Sequence, residues 1–120
     1  MPACVKEFVK KKSAVAKVHV APEAERDITA IFEYLLEVEG LEVAKELTEA
    51  LDEAIQSLSA LPRRGKYPPE LQAEGITLFR EIQCHPWRIF YRAAEKDIWV
   101  LAVLDGRRNI AQLLPERLVR

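Results

Sequence analysis

Three strand-like runs follow one another between Ile76 and Arg108, and they limit the fold more than any other part of the chain. They read ITLFREIQ, CHPWRIFYRAA and EKDIWVLAVLDGRR, with polar breaks at Cys84 to Pro86 and at Ala93 to Lys96. Breaks this short join neighbouring antiparallel strands, so a three-stranded meander is predicted. In the second run Trp87, Ile89 and Tyr91 alternate with Arg88, Phe90 and Arg92, giving the two faces of one strand. The third run, Asp97 to Leu104, is nearly all apolar, as a central strand covered on both faces would be.

A meander has to bury at least one face, and the preceding chain supplies the cover. Ala14 to Val20 alternates, with Val18 and Val20 on one side and Lys17 and His19 on the other, as in a half-buried strand. Pro22 suits the first turn of a helix, and Glu23, Glu25 and Asp27 complement its positive end. Ala24, Ile28, Ile31, Phe32, Leu35 and Leu36 form one apolar stripe at helical spacing, and Gly40 is placed to end the helix. A second stripe follows at once: Ala44, Leu47, Leu51, Ala54, Ile55, Leu58 and Leu61, stopped by Pro62. A joint this short favours an antiparallel αα-hairpin. Neither stripe can remain in water, so both helices are expected on one face of the sheet, with the other face at least partly open. The predicted class is α+β in the order β-αα-βββ.

Pro62 to Gly75 reads as a loop, with three prolines and two glycines, and its start is basic at Arg63, Arg64 and Lys66. Asn109 to Arg120 reads equally as a short helix or an edge segment. Residues 1–13 carry Lys10, Lys11 and Lys12 and weak periodicity, which predicts a frayed extension. The expected organisation is therefore an extension over 1–13, one domain over 14–108 and a C-terminal tail over 109–120. At 120 residues one core suffices without staples. Hydrophobic and charged shares of 49% and 31% fit a soluble globular chain. No apolar run approaches the ~18 residues of a membrane span, and no apolar stretch behind the lysines suggests a signal peptide. Cys4 and Cys84 have no metal-site spacing, so neither a metal nor another cofactor is expected, and a cytoplasmic location is.

The net charge of −1 conceals an asymmetry. From Ala21 to Leu61 there are eleven acidic and two basic residues; from Pro62 to Arg120 there are seven acidic and eleven basic. An acidic helical middle with basic flanks is a polarity that a partner can read, although solvated helix faces alone would also produce it.

Nucleophile, phosphate-loop and metalloprotease motifs are absent, and the two histidines, His19 and His85, fall outside any metal-ligand spacing. The arginines are the unusual feature. Arg88 and Arg92 lie at i and i+4 of one strand and share a face. Arg80 on the preceding strand, and Arg107 and Arg108 beyond the third, are candidates to converge there. A guanidinium stays charged and holds phosphate or carboxylate with a fork of donors. The competing role is cross-strand pairing within the fold, for example Arg88 with Glu81.

This order of elements resembles the RelE/ParE superfamily of bacterial toxins from type II toxin–antitoxin pairs. The resemblance runs from about Val18 to Arg108 and is carried by APEAERDITAIFEYL, LPRRGKYPPEL, FREI, PWRIFYR and VLAVLDGRR. It implies a toxin neutralised by a cognate antitoxin, as a hetero-oligomer of the two. Two targets follow from the two branches. The ParE-like branch poisons DNA gyrase and has no nuclease constellation. The RelE-like branch cuts messenger RNA on the ribosome without a metal. For the nuclease branch, the resemblance places Arg80, Arg88 and Arg108 on phosphate-holding positions, with His85 or Tyr91 as stand-ins for proton transfer. The tyrosine of that branch near the C-terminus has no counterpart, because NIAQLLPERL holds neither Tyr nor His. Arginine is a poor acid and a poor base, so the ParE-like reading is preferred. In that reading Arg63, Arg64, Lys66, Arg88, Arg92, Arg107 and Arg108 are target- or antitoxin-binding candidates. A protein retained only as an interaction module is the third alternative.

Overall fold

The computed structural model describes residues 16–118. The extension expected over residues 1–13 and the start of the strand expected from Ala14 lie outside the described residues. Strand β1 spans Lys17–Val20 and helix α1 spans Pro22–Glu39. Ala21 caps α1 in an extended conformation, and Pro22 then fills the first helical position, where a missing N–H costs nothing. Gly40 ends the helix at φ 97°, a value that side-chain-bearing residues avoid, and its N–H reaches the carbonyls of Leu35 and Leu36. Helix α2, Leu41–Gln56, starts on the next residue, so one glycine makes the whole turn of the helical hairpin. A single 3₁₀ turn, Ser57–Ser59, closes it.

The predicted loop contains one helical turn, α3 (Pro69–Gln72), and leads into β2 (Arg80–Cys84), β3 (Trp87–Ala93) and β4 (Asp97–Asp105). Ile76 to Phe79, predicted as part of the first run, lies outside β2. The sheet order is β1-β4-β3-β2. The meander is antiparallel throughout, as expected. However, β1 adds to β4 in parallel, with Val18 opposite Ile98 and Val20 opposite Val100, so the sheet is mixed. That arrangement puts β4 and β3 in the centre, which accounts for the unbroken apolar run of β4. The register shifts between Phe90 and Tyr91, which face Ala102 and Val100, and Leu101 is the extra residue of a bulge.

The sheet separates two cores. On one face the hairpin contributes Ala24, Leu35, Ala44, Leu51, Ile55 and Leu58, packed on Ile82, Trp87, Ile89, Tyr91, Ile98, Val100 and Val103. The other face is covered over β3 and β4 by α3 and by the C-terminal segment, which forms α4 (Ile110–Leu118). Ile110, Leu114 and Leu118 recur every fourth residue and lie on Phe90, Ala102 and Leu104. Burying three such side chains is worth roughly 5–8 kcal/mol before ordering costs. That outweighs the ~3 kcal/mol that Pro115 costs in a helix interior. Nearer β1 the same face stays open, with Trp99 44% exposed and the His19 ring stacked on it at 4.3 Å.

β1 pairs with residues 97–100 of β4, so among the described residues the next stretch of the β4 edge has no strand partner on that side. Side chains take its place. The Val103 N–H donates to Asp27 Oδ2 at 3.0 Å, and Arg117 Nη2 donates to the Leu101 carbonyl at 3.4 Å and to Asp27 Oδ2 at 2.7 Å. This link also fastens α4 to α1. No described helix is long and apolar enough to cross a membrane.

Candidate functional site

Arg88 stands on the face of β3 that carries Phe90, with its guanidinium 5.1 Å above that ring. Two carboxylates grip it. Nε and Nη2 donate to Oε1 and Oε2 of Glu81, each at 2.7 Å. Nη1 and Nη2 donate to Oε2 and Oε1 of Glu70, each at 2.8 Å. Glu81 is 1% exposed, and a carboxylate so deep requires a cation beside it. Glu70 comes from α3, and its side chain is 23% exposed. The Arg88 hydrogen bonds hold the Glu70 carboxyl below its ordinary pKa, and Glu70 and then Glu81 push the Arg88 pKa further up. The cross-strand pair considered from sequence, Arg88 with Glu81, is therefore present. Glu70 is an addition that the loop's composition did not signal.

Arg80 does not join Arg88. It sits opposite Tyr91 in the β2–β3 register, on the other face of the sheet. Its Nη1 donates to the Gly65 carbonyl at 2.8 Å, its Nη2 to the Tyr67 hydroxyl at 3.2 Å, and the guanidinium lies 4.6 Å above the Tyr67 ring. Arg80 thus shapes the loop. Tyr91 is occupied in the same way: its hydroxyl donates to the Pro62 carbonyl at 2.9 Å and accepts the Gly65 N–H at 3.0 Å. The ring is fully buried, and burial pushes its pKa up. A phenol held like this is badly placed to shuttle protons.

The remaining candidates are spread over the surface. Arg63 and Arg64 are exposed at the loop start, and Arg64 Nε donates to Ser57 Oγ at 3.2 Å. Arg92 and Arg108 are exposed, and neither side chain has a hydrogen-bond or ion-pair partner among the described residues. Arg107 pairs with Asp105 in the turn after β4 at 2.7 Å, which holds Asp105 down at about 2. The five arginines therefore do not form one patch.

A cleft of about 330 Å³ does gather several of the candidates, namely Lys66, His85, Arg88 and Arg107, together with Glu70 and Gln83. Pro69, Pro86, Trp87 and Gly106 complete it where the β2–β3 turn meets the β4 turn. His85 is exposed at the rim, and its peptide bond to Pro86 is cis. No cluster of three or more His, Cys, Asp or Glu residues placed to hold a metal occurs among the described residues. Cys84 is half-buried, and desolvation pushes its thiol pKa up, away from reactivity.

Comparison with known proteins agrees with this architecture. Toxin ParE3 of Caulobacter vibrioides is 31% identical over 91 residues, covering 76% of this chain and 87% of that protein. Among solved structures, the chromosomal ParDE toxin–antitoxin system of P. aeruginosa contains a chain that superposes with a TM-score of 0.65 at 19% identity, covering 78% of this chain and 98% of that one. The toxin–antitoxin complex RelBE2 of Mycobacterium tuberculosis contains one with a TM-score of 0.51 at 20% identity, covering 78% and 94%. At those identities the structures speak for the fold alone. Residues 18–110 match the family described as ParE toxin of type II toxin–antitoxin system, parDE, and the chain belongs to that family.

Proposed function

We propose that this protein arrests growth by binding DNA gyrase in the cytoplasm and that a cognate antitoxin neutralises it. The observation that carries this reading is the state of Arg88. Both forks of its guanidinium are spent on Glu81 and Glu70. Arg80 and Tyr91 are likewise spent on the loop. In-line attack on a phosphodiester needs an acid and a base beside a phosphate-holding cation, and these three residues supply none of that in their present bonds. The chain is better suited to binding a protein surface than to cleaving RNA. The test is gyrase supercoiling with purified protein, joined to expression without antitoxin scored for a DNA-damage response. Supercoiling left intact at large molar excess would count decisively against the proposal.

Ribosome-dependent mRNA cleavage has one observation in its favour: His85, Arg88 and Arg107 line the same cleft. It predicts translation arrest instead of DNA damage, and Arg88→Ala should then abolish the RNA cleavage pattern. A non-toxic interaction module predicts no growth arrest under either assay.

A further inference from the structure

The two carboxylates on Arg88 are not equivalent. Glu81 is built into β2, fully buried, and by itself neutralises the guanidinium. Glu70 is the second carboxylate on one positive charge. It stands on a single helical turn, is partly exposed, and meets the edge of Arg88 (Nη1 and Nη2) beside the cleft. A planar carboxylate thus already fits this fork, with two 2.8 Å hydrogen bonds. The Lys66 ammonium, on the same cleft wall, has no hydrogen-bond or ion-pair partner among the described residues, and it lies close enough to lower the pKa of Glu70.

We infer that the cleft is a socket for an acidic side chain of a protein partner, and that Glu70 occupies it as an internal competitor until the partner arrives. The charge balance favours this over a nucleic-acid ligand. Lys66, Arg88, Arg107 and Glu70 line the cleft, and Glu81 and Asp105, which lie outside its lining, pair with Arg88 and Arg107, so with Glu70 in place these six charges cancel. When Glu70 swings out the cleft gains one positive charge, which a single carboxylate cancels. A phosphodiester backbone would bring a run of charges to a site able to neutralise one of them. Exchange of one carboxylate for another also conserves the bidentate hydrogen bonds, so the net cost is small and the surrounding contacts decide the affinity. The inference stands on the cleft alone and holds whichever protein is the toxin's target.

The test is a titration of the purified chain followed by NMR through the Arg88 Nε–H, Gln83 and Gly106 signals. The probes are acetyl-Gly-Glu-Gly-amide, its Gln counterpart, inorganic phosphate and a ten-residue thymidine oligonucleotide. The Glu peptide is expected to shift these signals and the Gln peptide to leave them unmoved. Glu70→Gln should tighten the Glu peptide at least fivefold, because an amide competes poorly for the fork, and Lys66→Ala in that background should reverse most of the gain. Glu70→Ala serves if Glu70→Gln does not fold. A purely structural Glu70 predicts lower stability with no gain in peptide affinity, and that result overturns the inference. So does tighter binding of phosphate or the oligonucleotide than of the Glu peptide.

Discussion

Glu81 on β2 and Arg88 on β3 lie diagonally across the strand pair, since Arg88 is directly opposite Gln83, and they meet through two 2.7 Å hydrogen bonds. The pair holds a carboxylate in the sheet where water cannot reach it. Arg88→Ala should therefore cost about 3–5 kcal/mol, because the buried charge of Glu81 is left alone. Pairing Arg88→Met with Glu81→Leu should recover most of that loss, since two apolar side chains of similar size remove the unpaired charge. Urea denaturation of the three variants is the measurement. A mild Arg88→Ala would mean that the pair is not what keeps Glu81 buried.

Tyr91 clamps the loop that carries the basic residues Arg63, Arg64 and Lys66. Tyr91→Phe removes the partner of both the Gly65 N–H and the Pro62 carbonyl while keeping the ring in the core. About 1–3 kcal/mol of destabilisation is expected, with faster amide exchange from Arg63 to Lys66. Gly65→Ala should be worse. A Cβ there would fall 2.6 Å from the Glu81 carbonyl oxygen and 2.6 Å from the Tyr91 hydroxyl, and the first of these is backbone that cannot step aside.

The fold was legible where periodicity and punctuation agree. The helical stripes and Gly40 marked the hairpin, although α2 ends at Gln56 and a 3₁₀ turn, short of the stop expected at Pro62, and Leu36 and Leu61 of the stripes are exposed. The alternation from Trp87 to Arg92 marked which residues of β3 face it. The parallel β1–β4 pairing was not legible, because alternation states that a strand has two faces and not which neighbour it takes. The tail was ambiguous for a physical reason: Pro115 argues against a helix, while Ile110, Leu114 and Leu118 argue for one, and only the apolar face of the sheet decides between them. At the site, the sequence offered the arginines and one partner, Glu81 for Arg88, but not the others. Arg80 and Arg88 lie on strands that pair directly, yet they point to opposite faces, and that parity depends on register. Glu70 was hidden in a proline-rich loop. Glu81 offered a signal, as a lone carboxylate amid the strand residues FREI, where a buried acid demands a cation. Asp27 and Arg117, 90 residues apart, gave none.

Acid should loosen α3 before it loosens the sheet. The Glu70 pKa is lowered in the folded chain by Arg88, so its contribution is complete above the ordinary value of 4.5 and is lost as pH falls through the folded value. Asp105 follows the same sign, with loss centred near 2. Stability should therefore be insensitive to these groups at neutral pH and fall as the pH drops below about 4.5. Glu70→Gln should flatten the first part of that fall. Parallel urea titrations of the two proteins between neutral pH and pH 3 test this, and identical curves would show that Glu70 is not linked to folding.

Asp27 joins three elements that are far apart in sequence. It accepts the β4 N–H of Val103 and two hydrogen bonds from Arg117 of α4, at 3.3 and 2.7 Å. Its carboxylate therefore takes the place of a strand partner beyond β1, where β4 has none among the described residues. Arg117→Ala removes the tether and leaves the β4 N–H satisfied, so α4 should fray while the sheet holds. The expected loss is about 1–2 kcal/mol, read mainly as faster exchange of the α4 amides. Asp27→Ala reduces the tether to the 3.8 Å Arg117–Glu23 pair and also orphans the Val103 N–H at a half-buried edge. It should cost roughly 2–4 kcal/mol and raise exchange in β4 as well as in α4. Asp27→Asn separates the two parts, because the amide oxygen still accepts from Val103 while Arg117 loses its 2.7 Å ion pair and keeps only the longer 3.8 Å contact with Glu23. If Asp27→Asn behaves like Arg117→Ala, with β4 protected and α4 loosened, the edge cap and the tether are distinct functions of one carboxylate. If it behaves like Asp27→Ala, the charge itself seals the edge.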